Sequence, residues 1–447
     1  MSNRYNNYHK NEILIKDVDK PSERQMKAEN YLKEYDIQNI LTEMINYLLH
    51  KRSKTPIIEM IKYLGGLLTQ KEREKYEIKI PPIDIEYHPI ISFPSFDEKC
   101  NSLLKEFLDM EIFLSLRDNI TKFGTNLGNI IKINELNIKN NFGIFLADAD
   151  CIKKFGELYL PIICKAHNLD KNNLKFFTEN NFNLSNLKLD DIKKINLDDI
   201  KGINKITISV SRNLLDEPFI CFLNIEERAE NVLNNLEKEL NKVYYFKNNE
   251  MKLVDNNDDF LSKINYDEFD FFKAINVKEN LIKNYRKIYT NKDYSFSILI
   301  NYCDNIQILK TIYFDIERSE EKKITKNDIF ISAFNELSDF IRNLQYYIGF
   351  EFEHNFGYLT SNIALLGSGF NIKSEINLNK LCGEKLDLEK INKTLNEYDK
   401  YSDNFKIKNI SKDENILIFS SSPKISNNSF SEFLVEYFEK ILKLKNE

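Results

Sequence analysis

Apolar side chains recur at every third or fourth position between residues 26 and 70, after a polar stretch over residues 1–25. This spacing is the period of an amphipathic helix and predicts two helices, the second capped by Thr55 with Pro56 in its first turn. The polar stretch predicts a flexible arm. The apolar stripes of the two helices consist of Ile37, Ile40, Leu41, Met44, Ile45, Leu48, Leu49, Ile57, Ile61 and Leu64.

The pattern changes again beyond residue 70. Residues 71–90 are charged and then rich in proline, which predicts a linker. Residues 91–185 keep a helical period and predict a small helical domain. Residues 186–447 alternate strand-like runs with helices, and the short turns between successive strands predict an antiparallel sheet. The predicted fold class is therefore α+β: a two-helix segment, a small all-α domain, and a large domain with a mainly antiparallel sheet flanked by helices.

Two short amphipathic helices have too little core to fold alone, so they predict a homodimer or heterodimer. The segment resembles the docking and dimerisation module of cyclic-AMP-dependent kinase regulatory subunits (RIIα-like) in the stretch YLKEYDIQNILTEMINYLLHKRSKTPIIEMIKYL. The resemblance implies a four-helix bundle whose outer groove accepts an amphipathic helix of an anchoring or axonemal protein. The alternative is a helical hairpin that folds onto the rest of the chain.

Composition excludes several functional classes. The formal net charge is −6 and the basic residues are scattered, so no nucleic-acid surface is expected. No run is long and apolar enough for a membrane span, and the polar N-terminus favours a cytoplasmic protein. The six cysteines form no C-x-x-C pair, so no metal site is predicted. Arginine, the side chain best suited to clamp phosphates, occurs only ten times.

Five motifs follow one another along the rest of the chain: FPSFDEKCNSLLKEFLDMEIFLSLRD, FGIFLADADCIKKFGELYLPIICKAH, ISVSR, ILINYCDNIQIL and GYLTSNIALLGSGF. In the same order, they resemble those of the phosphagen kinases, the ATP:guanidino phosphotransferases such as creatine and arginine kinase. The resemblance implies transfer of a phosphoryl group from MgATP to a guanidine. In that reaction arginines hold the phosphates and carboxylates hold the guanidinium, beside a low-pKa cysteine.

The chain departs from this family where the chemistry is done. The nucleotide-binding strand keeps one arginine, Arg212, which predicts a weak nucleotide contact or, alternatively, a surface salt bridge. No catalytic residue, metal or cofactor is predicted. The family's loop cysteine, two hairpin glutamates, hairpin arginine, loop arginine and loop histidine fall respectively on Asn362, Tyr302, Cys303, Gln307, Asn371 and Glu375.

The sequence therefore predicts a non-catalytic phosphagen-kinase-like protein, a pseudoenzyme used as a structural or docking component. The docking resemblance implies a cytoskeletal or axonemal assembly, as in a cilium or flagellum. One alternative is a divergent active phosphotransferase that uses MgATP, and another is a nucleotide sensor without turnover. For the active alternative, the candidate acids and phosphate-binding arginines are Asp304, Glu351, Glu353, Glu375, Arg212 and Arg342.

Overall fold

The chain divides into two compact units, one formed by residues 1–67 and 79–83 and the other by residues 68–78 and 84–447. None of the helices described is long and apolar enough to cross a bilayer. The computed structural model describes residues 23–51, 56–68, 75, 93–94, 96, 100–131, 141–184, 196–219, 226–247, 250–254, 260–261, 285–302, 304–314, 325–383, 386–411, 414–426 and 429–445.

In its described residues the first unit contains three helices, α1 (Glu23–Glu34), α2 (Ile37–Lys51) and α3 (Pro56–Gly66). Helix α1 begins inside the stretch expected to be a flexible arm, and most of that arm lies outside the described residues. Parts of the predicted apolar stripes lie at the surface. The α2 stripe is defined as Leu41, Ile45 and Leu49, and the α3 stripe as Ile57, Ile61 and Leu64; all six side chains are exposed.

The second unit begins with a small helical domain, as the sequence predicted. Ser102 and Asp109 cap its first two helices, each accepting a hydrogen bond from a backbone amide of the first turn. The helices bury their apolar sides against one another in a single core. They are α4 (Leu103–Phe107), α5 (Met110–Leu116), α6 (Leu127–Ile131), α7 (Asp150–Lys154) and α8 (Gly156–His167).

An eight-stranded antiparallel sheet forms the centre of the large domain, in the order β2-β3-β4-β5-β1-β8-β10-β9. A separate two-stranded hairpin is formed by β6 and β7. The strands are β1 (Ile203–Arg212), β2 (Lys252–Leu253), β3 (Lys287–Thr290), β4 (Phe296–Ile300), β5 (Ile306–Tyr313), β6 (Phe352–Glu353), β7 (Gly357–Tyr358), β8 (Phe370–Asn377), β9 (Asp403–Ser411) and β10 (Glu414–Ser421).

Side chains alternate between the two faces of this sheet. On one face, which we call the helix face, Ile206 and Ile208 of β1 join a large apolar core with three long helices. The hydroxyl of Tyr437 anchors the last of these helices by donating to Ser374 Oγ (2.8 Å) and to the Phe419 carbonyl (2.9 Å). The remaining helices are α9 (Glu226–Leu240), α10 (Tyr244–Lys247), α11 (Lys326–Gln345), α12 (Leu378–Cys382), α13 (Leu388–Asn396) and α14 (Phe430–Leu444).

The opposite face of the sheet, which we call the polar face, carries hydroxyl, amide and charged side chains. In β1 these are Lys205, Thr207, Ser209 and Ser211, which alternate with the isoleucines of the helix face. The antiparallel arrangement and the flanking helices agree with the predicted fold class. The sheet therefore presents one apolar side to its helices and one side on which polar chemistry is concentrated.

Candidate functional site

The loop between β7 and β8 lies where the small helical domain meets the large domain. A short 3₁₀ turn covers Ile363–Leu365, and Asn362 caps it because its Oδ1 accepts from the Ala364 amide (3.0 Å). Ile363 and Leu366 are fully buried and belong to the core of the small domain. The residue at the family's cysteine position is thus a capping residue in a packed turn.

His167, at the end of α8, joins three segments. Its Nδ1 accepts from the Ile425 amide (3.2 Å), which leaves Nε2 to carry the proton and donate to the Ile363 carbonyl (2.8 Å). Burial, with a smaller contribution from Lys424, lowers the pKa of His167 to about 4, although the hydrogen bond to Ile363 and the charge of Asp399 act in the opposite direction. The imidazole is therefore neutral and links the small domain to the loop and to the segment after β10.

Backbone hydrogen bonds also close the boundary between the two domains. The Leu146 amide donates to the Ser361 carbonyl (3.1 Å), and the Phe219 amide donates to the Ala147 carbonyl (2.9 Å). Ser361 is fully buried. The small domain and the loop are consequently in direct contact at this point.

Asp304, the carboxylate kept from the family's hairpin, is used inside the fold. Its Oδ1 accepts from the Ser361 amide (2.6 Å) and from Asn213 Nδ2 (2.7 Å), and the residue is fully buried. Asn213 in turn accepts from the Asn305 amide (2.9 Å). These bonds tie the end of β1, the β4–β5 turn and the loop together, so Asp304 bridges three segments.

Arg212 lies at the end of β1 beneath the ring of Tyr358, with its guanidinium carbon 3.8 Å from the ring centre. Its Nη1 donates to the Ser211 carbonyl (2.8 Å) and to the Ser368 carbonyl (2.6 Å). Only 1% of Arg212 is exposed, and burial lowers its pKa to about 10. The alternative of a surface salt bridge is therefore wrong, and a nucleotide could reach this guanidinium only if the groups that bury it moved. The weak nucleotide contact stays a prediction.

Gly369 makes this position of Arg212 possible. Its φ is +64°, and a Cβ added there would overlap both Arg212 Nη1 and the Ser211 carbonyl oxygen. The second glycine of the Gly-x-Gly bend is thus required because the Arg212 side chain and the end of β1 both approach its Cα closely. Sequence reasoning assigned the glycine to a tight turn but gave no signal for Tyr358 as the partner of Arg212.

Strand register brings three of the predicted positions onto the polar face. Gln307 pairs with Ser211, and Asn371 pairs with Ser209. Glu375 pairs with Lys205, and their side chains form a mostly buried ion pair (2.5 Å). Arg212 belongs to the other face, because its register partner on β5 is a residue of the apolar core, Ile306.

The other predicted positions lie elsewhere. Tyr302 is buried in the apolar core of the large domain, with the Arg286 guanidinium 5.5 Å from its ring centre. Cys303 lies outside the described residues. The hairpin positions are therefore split, since Gln307 reaches the polar face and Tyr302 does not. That these positions are degenerate catalytic sites stays a prediction.

The acids and arginines of the active alternative do not form one cluster either. Glu351 Oε1 accepts from the Asp216 amide (2.7 Å), and burial raises its pKa. Glu353 accepts from the amide of Asn355 (2.7 Å) in a local turn. Arg342 is exposed on α11 and pairs with Asp339 (2.6 Å), so it lies at the surface while Arg212 lies in the interior. The other two acids are described above: Asp304 is buried under the loop, and Glu375 is paired on the polar face.

Two family models match the chain in order along both domains. The description "ATP:guanido phosphotransferase, N-terminal domain" matches residues 98–164, and "ATP:guanido phosphotransferase, C-terminal catalytic domain" matches residues 224–400. Together they cover more than half of the chain. The chain belongs to the ATP:guanido phosphotransferase family. The predicted resemblance to phosphagen kinases is thereby confirmed at the level of the family.

Similar proteins agree with this assignment. An arginine kinase of Penaeus vannamei is 27% identical over 308 residues, which is 65% of this chain and 78% of that protein. An arginine kinase of Limulus polyphemus is 25% identical over 309 residues, again 65% of this chain and 78% of that protein.

Solved structures of the family share the fold. The substrate-free duplicated taurocyamine kinase from Schistosoma mansoni superposes with a TM-score of 0.59 at 16% identity, over 78% of this chain. This chain spans about half the length of that duplicated protein, 47%. A lombricine kinase superposes with a TM-score of 0.57 at 14% identity, over 77% of this chain and 92% of the kinase.

Within the ATP:guanido phosphotransferase fold, the small helical domain also contains a buried carboxylate that sequence reasoning did not place in a site. Asp148 accepts from Thr121 Oγ1 (2.6 Å), Thr125 Oγ1 (2.9 Å) and the Cys151 amide (3.1 Å). Burial raises its pKa despite these bonds. The carboxylate holds the turn before α6 against the start of α7 and so shapes the surface that contacts the loop.

Proposed function

We propose that this chain is a non-catalytic member of the ATP:guanido phosphotransferase family that serves as a structural or docking component. The observation that carries the proposal is the polar face of the sheet. Among the described residues of β1, β5 and β8 on that face, no arginine is found, and the cations are Lys205 and Lys373. Lys205 is already paired with Glu375.

A triphosphate does not fit this set of side chains. Transfer of a phosphoryl group depends on positioned positive charge that stabilises the transition state, and arginines supply it through bidentate contacts. Thr207, Ser209, Gln307 and Asn371 offer only neutral dipoles. If each missing charged contact costs about 2.7–4 kcal/mol, three losses remove most of a typical enzymatic rate enhancement.

The decisive experiment is a transfer assay on the purified full chain. Radiolabelled MgATP is incubated with arginine, taurocyamine, lombricine and creatine, and an arginine kinase purified in parallel serves as the positive control. We expect no label in any guanidine above the protein-free blank. Label that accumulates in one guanidine in proportion to protein concentration refutes the proposal.

The docking role is assigned to the first unit. Its surface carries the α2 and α3 stripes, which support dimerisation with a like or unlike chain and binding of an amphipathic helix from an anchoring or axonemal protein. The proposed setting is the cytoplasm, in a cytoskeletal, ciliary or flagellar axonemal assembly. Binding of a labelled amphipathic-helix peptide by the full chain, lost in a chain that begins at residue 69, is the expected result. Equal binding by both chains contradicts the docking role.

A second candidate is an active but divergent phosphotransferase, or a nucleotide sensor without turnover. Two observations favour it: the relatives matched over both domains are arginine kinases, and the hairpin carboxylate Asp304 is kept. Melting of the full chain with MgATP separates the readings, because a ligand that binds only the native state must raise Tm. A rise in Tm without label transfer favours the sensor, and a rise with transfer favours the enzyme.

A further inference from the structure

The sheet of the large domain ends in two very different edge strands. In the described residues, β2 has two residues, whereas β9 has nine and pairs with β10 from one end to the other. None of the described strands pairs with the other side of β9. A short edge strand offers a partner little to pair with, but a long one presents a row of unpaired N–H and C=O groups. The outer edge of β9 therefore has the backbone that strand addition requires.

The side chains of β9 form two chemically different rows. Phe405 and Ile407 are half-buried and pack against the apolar core of the helix face. Lys406 lies on the polar face, because pairing through β10 sets it in line with Glu375. Lys408 lies on the same face, since side chains alternate along a strand. The edge thus has an apolar row beside the helices and a cationic row on the opposite face.

The cationic row favours an acidic partner. Lys406 is exposed and forms no ion pair with a described residue, whereas two acids of the same part of the sheet are already paired, Glu375 with Lys205 and Asp403 with Lys440. A second copy paired edge to edge would bring the lysines of two strands together, and this repulsion disfavours it. A strand that carries carboxylates on the polar face would neutralise them instead.

We infer that the outer edge of β9 binds an extended peptide segment of a partner protein in which apolar and acidic residues alternate. Its backbone pairs with β9, its apolar side chains extend the row of Phe405 and Ile407, and its carboxylates face Lys406 and Lys408. Side chains directly opposite each other in such a pair have Cβ atoms about 4.5–5.5 Å apart, which is close enough for ion pairs. This surface belongs to the second unit, so the inference goes beyond the docking role proposed for the first.

Binding of synthetic peptides to the full chain tests the inference. The probe is a fluorescein-labelled peptide SVEVEVEVS, followed by fluorescence anisotropy at about 50 mM salt, and we expect its binding to weaken as salt is added. One control, SVKVKVKVS, replaces each acid by lysine, and the other, SVVEEEVVS, keeps the composition without the alternation. Neither control should bind. No binding of the probe, or equal binding of either control, overturns the inference.

Charge reversal on β9 gives a second test. Lys406→Glu should raise the Kd of the probe by about tenfold or more, because the carboxylates of the peptide then face a like charge. Lys153→Glu, at an exposed position of α7, changes the net charge equally and should leave the Kd unchanged. An unchanged Tm confirms that both variants fold. Equal Kd values for the two variants overturn the inference.

Amide hydrogen exchange locates the bound peptide. Saturating probe should slow the exchange of β9 amides and leave β2 amides unchanged, and protection that omits β9 overturns the inference. The catalytic proposal has a separate readout. A chain that binds the probe and also transfers label refutes the catalytic proposal alone, whereas a chain that does neither refutes this inference alone.

Discussion

Acid should loosen the junction of the two domains through His167. The imidazole is neutral in the folded chain because its Nδ1 accepts from Ile425 and its surroundings exclude water. Protonation would place a second N–H against the Ile425 amide and a charge in the interior. The folded protein therefore resists the proton that the unfolded chain accepts at an ordinary pKa of 6.5.

The magnitude and sign follow from the two pKa values of His167, about 4 when folded and 6.5 when unfolded. Between them the unfolded chain binds more protons, so the free energy of unfolding rises with pH. The decrease in the free energy of unfolding that His167 causes is negligible above about pH 7.5, reaches about 2 kcal/mol at about pH 5, and levels off near about 3.4 kcal/mol below about pH 4. Charged groups facing the ring are Lys424 and Asp399, which act in opposite directions.

Urea denaturation at about pH 7.5 and pH 5 measures this difference. In His167→Gln, the side-chain amide can still donate to Ile363 and accept from Ile425, but it does not titrate. The variant's loss of stability between about pH 7.5 and pH 5 should therefore be about 2 kcal/mol smaller than that of the wild type. Equal losses in the wild type and His167→Gln would refute the reasoning.

Two further substitutions test the packing around the loop. Gly369→Ala should destabilise the chain by about 2–3 kcal/mol, because the added Cβ overlaps Arg212 and the backbone at this residue has a positive φ. Gly156→Ala is the control and should be neutral or stabilising, because the space around its Cβ is open. Thermal melting of both variants checks this prediction, and equal Tm values would contradict it. Asp148→Asn should cost about 1–3 kcal/mol in urea unfolding. Both threonine hydroxyls donate to Oδ2 and the Cys151 amide donates to Oδ1, so an amide nitrogen at either position faces a donor. An unchanged midpoint would contradict that role.

Local periodicity was sufficient to predict most of the elements discussed above but not their pairing. The alternation in β1 is visible in the sequence because side chains on a strand repeat every two residues, and the antiparallel sheet followed from short turns. Helix α1 was not predicted as a separate element, since much of it is polar and begins in a stretch that looks like an arm. Its assignment depends on contacts with α2 that no local pattern reveals.

The candidate site was harder to predict because it depends on register. A shift of one residue moves a side chain to the other face of a sheet, and only the pairing of β1 with β5 and β8 shows that Arg212 and Gln307 lie on opposite faces. Motif comparison placed Arg212 in the nucleotide-binding strand and Gln307 at the position of the family's hairpin arginine. The stacking of Arg212 under Tyr358 joins residues far apart in the chain, and the sequence carries no signal for it.

The internal bonding of the residues that match the family motifs shows what they contribute to the fold. Asp304 joins three chain segments, and His167 uses both ring nitrogens. Arg212 donates from Nη1 to two carbonyls and is buried beneath Tyr358. Each bond to a charged group contributes about 1.5–3 kcal/mol when made, and removing one partner leaves a buried group unsatisfied. These groups therefore hold the loop in place for reasons of stability. Replacing Asn362 with cysteine would restore a thiol but not the positive charge that phosphoryl transfer needs.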